Sequence, residues 1–343
     1  MYFIGVDHHK QASVVTILDD SGRELKNGRV INLRERVSRF LEGYEPFTAV
    51  LEAGRASYVM VDLLRELGGE VKMANAVQVK AIAHARIKTD KRDSRTLAHL
   101  LRADLIPEVY QRGLMNRQAQ RVMRLRSYRV AKQTEAKNKI RALLAQQSEE
   151  VRVEVEKREG GLFSGKGIEF MKRLPLVGPD KMILDDLIEG FEEGQKHLQK
   201  TDGVVKQLYE ELKEARRIDT VPGFGTTLSV LVAVEIADIR RFPRVEELHS
   251  YAGVIPSTYS SGERTTHGHI TKGNTWLRWA ALEAVYPAIL KDLDLRVLYS
   301  RLAKRKGANV AKIAVARRLL TIIYRLLKEK RDYIPDKSKQ PAA

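Results

Sequence analysis

The sequence predicts an α/β N-terminal domain, then long charged helices, then a mainly α-helical C-terminal domain. Three observations carry this. Short β-branched runs bounded by turn residues alternate with amphipathic stretches as far as Ala103. From Met115, apolar residues recur at helical spacing among dense Lys and Arg. From Ile218, a Pro-Gly turn and an apolar run lead through a hydroxyl-rich segment to an amphipathic helix ending near Leu327.

Taken in order, Tyr2 to Asp7 reads as a first strand and Ala12 to Leu18 as a second. Asp19, Asp20, Ser21 and Gly22 are turn residues, and Leu25 to Ile31 is a third strand, so the start is an antiparallel meander. Asn32 caps a helix running to about Leu41, with Leu33, Val37, Phe40 and Leu41 at helical spacing. Phe47 to Glu52 is a buried strand, Ser57 to Leu67 a helix, Glu70 to Met73 a short strand and Val77 to His84 a helix. A further helix opens near Asp90 and runs to about Ala103. Strands linked by helices after a meander give a mixed sheet with helices on its faces.

Two strands end on acids. Asp7 closes the run FIGVD and Glu52 closes FTAVLE, in strands expected to lie side by side. Asp90 and Asp93 are three apart at a helix start and share one face. Gathered carboxylates raise one another's pKa unless a cation is present. Hard oxygen ligands suit Mg²⁺ or Mn²⁺, so Asp7, Glu52, Asp90 and Asp93 are the candidate metal ligands. His8 and His9 read as polar turn residues.

Lys and Arg number 61 against 44 acids, a formal net charge of +17, which favours a polyanionic partner such as nucleic acid. There is no cysteine, which excludes disulfides, thiolate zinc sites and thiol catalysis. No apolar run is long enough for a membrane span, and the N-terminus lacks a secretory signal pattern. The expectation is a cytoplasmic, nucleoid-associated bacterial protein without a membrane partner.

One helix is expected from Met115 to about Val155 and a second from about Lys181 to Arg217, joined through a glycine-containing segment as an antiparallel coiled-coil arm. Pro222-Gly223-Phe224-Gly225 then opens a helix at Thr226 or Thr227. There Gly223 and Gly225 would let backbone N–H groups approach a phosphate, as in a helix-hairpin-helix turn. Phe242 to Ala252 is a short helix, and a polar loop leads to another helix at about Thr275. Within that loop Ser261-Gly262 is a candidate exposed nucleophile, with Arg264, Lys272 and Arg278 placed to neutralise a phosphate. By pattern alone Ser260, Ser261, Thr265 and Thr266 rank equally. The domains so drawn are 1–113, 114–217 and 218–330, followed by a disordered tail over 331–343.

The runs FIGVDHHK, VLEAGRAS, KTDKRDS, VPGFG, YAGVIPS, SSGERTTHGHITKGN and WLRWA follow one another in this sequence. In that order they resemble the DEDD transposases of bacterial insertion sequences. These are relatives of the pilin-gene invertases, known as bridge-RNA-guided recombinases. The resemblance spans Tyr2 to about Leu327. It implies a RuvC-like N-terminal domain of RNase H fold whose four acids match Asp7, Glu52, Asp90 and Asp93. It also implies a C-terminal transposase domain whose nucleophilic serine precedes a glycine shortly after a Gly-x-x-Pro turn, a position that falls on Ser261, beside Ser260. It further implies a tetramer built from dimers, a coiled coil crossing between protomers, and a structured guide (bridge) RNA pairing with donor and target DNA. Rigid acids and a distant hydroxyl would then act together on a DNA phosphate. The rivals are a RuvC-like metal-dependent nuclease without a covalent intermediate, and a non-enzymatic nucleic-acid-binding protein.

Overall fold

The structure is a computed structural model that describes residues 1–83, 89–256, 258–261, 264–267 and 273–334; for residue 159 and for 258–267 the description is of backbone alone. It divides into two compact units, Met1–Gln111 and Arg112–Ala343. No described helix is long and apolar enough to cross a membrane.

In the first unit, β1 (Tyr2–His8), β2 (Ala12–Leu18) and β3 (Glu24–Ile31) form the meander. Helix α1 (Arg34–Leu41) leads to β4 (Phe47–Glu52), and α2 (Ser57–Glu66) leads to β5 (Glu70–Ala74). β4 pairs parallel to β1 and β5 parallel to β4, giving a mixed sheet of order β3-β2-β1-β4-β5. Helices α3 (Ala76–Ile82) and α4 (Asp90–Arg102) follow. Strand alternation sorts the sheet's two faces. Ile4, Val6, Ala49 and Leu51 bury one face against Val37 and Leu41 of α1 and Met60, Val61 and Leu64 of α2. Val50 and Ala74 bury the other against Val79 of α3 and Leu97, Leu100 and Leu101 of α4.

α4 lies directly on β1 because residue 5 has no side chain. A Cβ on Gly5 would stand 2.0 Å from the carbonyl oxygen of Ser94 and 2.5 Å from the amide nitrogen of Ala98. Beside this contact the buried hydroxyls of Thr16 and Ser94 are hydrogen-bonded at 2.8 Å. Thr89 caps α4, its hydroxyl accepting from the amide of Arg92 at 3.4 Å. The helix thus starts where its first-turn acids meet the end of β1. One expected cap differs. Leu33, not Asn32, precedes α1, because the Asn32 side chain is engaged by Ser13 Oγ at 2.7 Å and by the carbonyl of His9 at 2.7 Å.

In the second unit, α5 (Leu114–Leu144) gives way to α6 (Glu149–Glu156), a 3-10 turn at Glu159–Gly161 and α7 (Gly165–Lys172). α8 (Gly178–Glu211) then returns antiparallel to α5. Arg126 pairs with Asp202 at 2.6 Å, Arg129 donates to the carbonyl of His197, and Gln133 donates to that of Phe191 at 3.0 Å. The single helices expected over 115–155 and 181–217 are each broken. The first stops at Leu144 because the chain turns to build a small core of Ile140, Leu144, Val151, Ile168, Met171 and Leu184 over the end of the pair. The second breaks at Leu212, whose extended backbone (φ −88°, ψ 100°) starts α9 (Lys213–Asp219).

α10 (Thr226–Ile236) is buried from Ser229 to Ile236, as a helix apolar on all sides must be. A 3-10 turn at Ile239–Arg241 and α11 (Val245–Ala252) precede a hairpin of β6 (Thr258–Ser261) and β7 (Arg264–His267), where the sequence reads as loop. Alternating hydroxyl residues, several β-branched, suit a two-stranded ladder. Helices α12 (Thr275–Glu283), α13 (Val285–Lys291), α14 (Leu293–Lys306) and α15 (Ala308–Glu329) complete the unit. Val230, Val232 and Val234 of α10 share one core with Leu277 and Ala281 of α12 and Leu319, Leu320 and Ile323 of α15. The expected tail is held at its start: the Tyr333 amide donates to Thr220 Oγ1 at 2.9 Å, and its hydroxyl donates to Asp292.

Candidate active site

The carboxylates collect at the C-terminal ends of β1 and β4. Val6 pairs with Leu51, so the next positions outward are Asp7 and Glu52, on the face covered by α4. Asp90 opens α4 and Asp93 stands in its first turn. One donor atom each from Asp7, His9 and Asp90 lie within 4.8 Å of one another. His9 Nε2 is 3.3 Å from Asp7 Oδ2 and 3.6 Å from Asp90 Oδ2. Glu52 and Asp93 stand outside this three-residue group, Glu52 at the end of the neighbouring strand and Asp93 one turn along α4.

Electrostatics follow from that placement. Burial pushes the Asp7 carboxyl above the usual carboxylate range; His9 opposes this, and the charges of Asp90 and Asp93 add to it. The Asp7 side chain is only 19% exposed, whereas Asp90 is open to solvent. Acids that repel one another on rigid elements suit a hard divalent cation, and the donor set fits one. A cleft of about 420 Å³ opens beside them, lined by His9, Lys10, Arg29 and Asp90. Lys10 and Arg29 give its wall two positive charges beside the carboxylate of Asp90.

His9 is the residue that sequence reasoning missed. It sits in the turn after β1, as its sequence indicates, but its ring reaches back to both Asp7 and Asp90. Its backbone is fixed from behind. His8 Nδ1 meets Ser13 Oγ at 2.9 Å, Ser13 Oγ donates to Asn32 Oδ1, and Asn32 Nδ2 donates to the carbonyl of His9. Burial holds the His8 imidazole below its ordinary pKa, so it serves this chain as a neutral ring.

In the second unit, the backbone pairs Ser261 with Arg264 and Ser260 with Thr265. Side chains of the hairpin, and Gly262 and Lys272 altogether, lie outside the described residues. The hairpin's two stems are pinched together. Gly253 ends α11 in the left-handed region (φ +67°), and a Cβ on Gly273 (φ +120°) would stand 2.5 Å from the Gly253 Cα. Asn274 follows, capping α12 by accepting from the amides of Trp276 and Leu277 at 3.0 Å. Arg278 donates to the Gly253 carbonyl at 3.3 Å.

Beneath this base lies a carboxylate with no solvent exposure, that of Glu235. Asn274 Nδ2 donates to it at 2.7 Å, Arg124 donates to its other oxygen, and Arg112 stands at 3.6 Å. Arg112 also donates to the Tyr251 hydroxyl at 3.0 Å, as does Asn274. One buried charge thus ties α5, α10, α11 and the start of α12 together. Gly223 has an inward role: at φ +93° it packs on the Ala284 carbonyl, which a Cβ would meet at 2.2 Å. Gly225 precedes α10 as its N-terminal cap, and a Cβ there would meet open space.

Comparisons with known proteins agree with this organisation. Residues 4–148 match an IS110-type DEDD transposase model, described as transposase. Residues 215–300 match a model described as the transposase IS116/IS110/IS902 family. The transposase for insertion sequence element IS1111A of Coxiella burnetii is 22% identical, over 96% of this chain and 90% of that protein. The transposase for insertion sequence element IS1328 of Yersinia enterocolitica is 23% identical, over 78% of each chain. The insertion element IS116 uncharacterized 44.8 kDa protein of Streptomyces clavuligerus is 23% identical, over 97% of this chain and 96% of that one. Two family models covering the sheet with its acids and the helices around the hairpin, and relatives aligned nearly end to end, agree: the chain belongs to the IS110/IS116 family of DEDD transposases.

Proposed function

We propose that the protein cuts and rejoins DNA strands through a serine–DNA covalent intermediate, at sites chosen by a structured guide RNA. The observation that carries the reading is the convergence of Asp7, His9 and Asp90 donor atoms within 4.8 Å at the end of a buried strand. The first unit is read as a RuvC-like RNase H fold.

Asp7, Asp90, Asp93 and Glu52 would hold Mg²⁺ or Mn²⁺, with His9 beside them favouring tolerance of Mn²⁺. A cation held there would supply charge neutralisation at the scissile phosphate. Asp7, on a strand fixed by two neighbours, keeps its carboxylate in place as the substrate changes. Lys10 and Arg29 hold the adjoining phosphates. Ser261 Oγ attacks phosphorus, losing its proton to solvent, as the bond to the 3′ oxygen breaks and that oxygen leaves as a hydroxyl. A 3′-hydroxyl from the partner strand then attacks the phosphoserine, restoring a phosphodiester and releasing serine. The number of phosphoester bonds is unchanged, so no nucleotide hydrolysis is needed. Arg264, Lys272 and Arg278, with the backbone at Gly223 and Gly225, contribute to nucleic-acid binding.

Leaving sequence choice to a guide RNA, as in other RNA-guided systems, removes the need for a base-reading module in the protein. The reading extends to kinship with the pilin-gene invertases, a tetramer with α5 and α8 as a coiled coil between protomers, and a nucleoid-associated cytoplasmic setting. The test is a strand-exchange assay with Mg²⁺ and the RNA that copurifies with the protein. Ser261→Ala should abolish the protein–DNA adduct while retaining RNA binding, and Asp7→Ala should abolish cleavage. Hydrolysed ends without adduct in the parent protein would favour the second reading, a metal-dependent nuclease that activates water. His9 between Asp7 and Asp90 gives that reading a proton acceptor in place.

A further inference from the structure

Both tryptophans of the chain stand in one place. Trp276 and Trp279, three apart on α12, share a helix face. With Thr275, and with Arg126, Ser127, Val130 and Ala131 of α5, they line a pocket of about 380 Å³. The two indoles differ in state. Trp276 is partly buried, and the Arg124 guanidinium stacks over its ring at 3.9 Å. Trp279 is 44% exposed, a large aromatic surface left to water.

Cations dominate α5 beside it, although Arg126 of the pocket wall is paired with Asp202 and Arg124 with Glu235. From Leu114 to Thr134, α5 carries six cations and no acid. Arg121 is exposed, and the described partners of Arg129 are neutral oxygens, so neither charge is cancelled by a paired acid among the described residues. A small pocket walled by an open indole and rimmed by arginine suits a flat ring carried on a polyanion. A duplex would present only base edges, so the ring must belong to an unpaired nucleotide.

We propose that this pocket takes an unpaired base of single-stranded DNA by stacking on Trp279. The assignment to DNA rests on the reading above. α12 is the next described element after the hairpin that carries Ser261, and strands exchanged there must unpair next to the cut.

The test uses the full-length chain and its own fluorescence, which reports only this pocket because both tryptophans line it. Titration with a short oligodeoxyuridylate, without divalent cation, should quench the emission. Trp279→Ala should weaken binding roughly five- to a hundredfold, while Trp279→Phe should retain most of it. Irradiation with an oligomer carrying 5-iododeoxyuridine should crosslink Trp279. Three results would overturn the proposal: equal quenching by duplex DNA, equal or stronger quenching by oligouridylate, or quenching that follows protein concentration without DNA. The last two would assign the pocket to RNA or to a second copy of the chain. Measuring adduct formation beside the titration separates the two readings. Quenching of the parent by the oligomer with an undiminished adduct in Ser261→Ala would sink the serine assignment and leave the pocket. Loss of the adduct in Ser261→Ala with quenching equal for duplex DNA would do the reverse.

Discussion

Replacing Gly5 by alanine tests how the carboxylates are brought together. The new Cβ would sit 2.0 Å from the Ser94 carbonyl oxygen and 2.5 Å from the Ala98 amide nitrogen, against an ordinary contact of 3.4–4 Å. Both atoms are helix backbone, so no side chain can rotate away. α4 must retreat by more than about 1 Å, and Asp90 and Asp93 travel with it. Overpacking of this kind costs about 1–3 kcal/mol, which lowers the melting temperature of a unit this size by roughly 5–20 °C. The functional loss should be larger, because a displacement of about 1 Å at reacting groups costs on the order of a hundredfold in rate. Calorimetry with Mg²⁺ and with chelator, alongside the strand-exchange assay, separates the two effects. Gly5→Ala should fold, melt lower and lose the rise in melting temperature that the cation confers. A variant with parental melting, cation response and exchange rate would refute the argument that this contact sets the carboxylate geometry.

Other outcomes follow from the same physics. Glu235→Ala removes the buried anion and takes from Arg124 its carboxylate partner. It should cost about 3–5 kcal/mol in denaturant unfolding, and a loss near zero would show that the network is not under tension. Gly190 lies within α8 with open space around its missing Cβ. Gly190→Ala should therefore stabilise by about 0.5–1 kcal/mol, and destabilisation would mean that face is covered in solution. For Asp7 the folded pKa lies above the unfolded one, so its ionised form costs stability at neutral pH. That cost is recovered as pH falls through the folded pKa toward 3.8. Cation-free Asp7→Asn should thus be more stable than the parent at pH 7, with the gap closing on acidification. A gap that does not change with pH would contradict the burial argument.

The fold was legible where local signals stood alone. β4 ends on Glu52 as read, since an apolar run meeting an acid and a glycine has one interpretation. α4 begins at Asp90 as read, Thr89 being its cap. The breaks at Leu144 and Leu212 were hidden because the apolar spacing continues through them. Only the small core over the end of the α5–α8 pair shows why the chain turns. Glu235 lies inside the apolar run of α10. Its partners lie 39 residues away at Asn274 and 111 away at Arg124, a separation that no local pattern encodes. His9 was missed for a related reason: its reach to Asp90 depends on a helix 81 positions downstream.

The close approach of Gly253 and Gly273 bears on how such proteins diversify. A ribbon that leaves and re-enters the helical scaffold through one narrow waist can change length or composition without disturbing the packing below. Exchanging residues 255–272, beyond the buried Val254, for the matching stretch of a relative should therefore leave the host's thermal stability intact. Any bulkier residue at the waist itself would be felt throughout the scaffold.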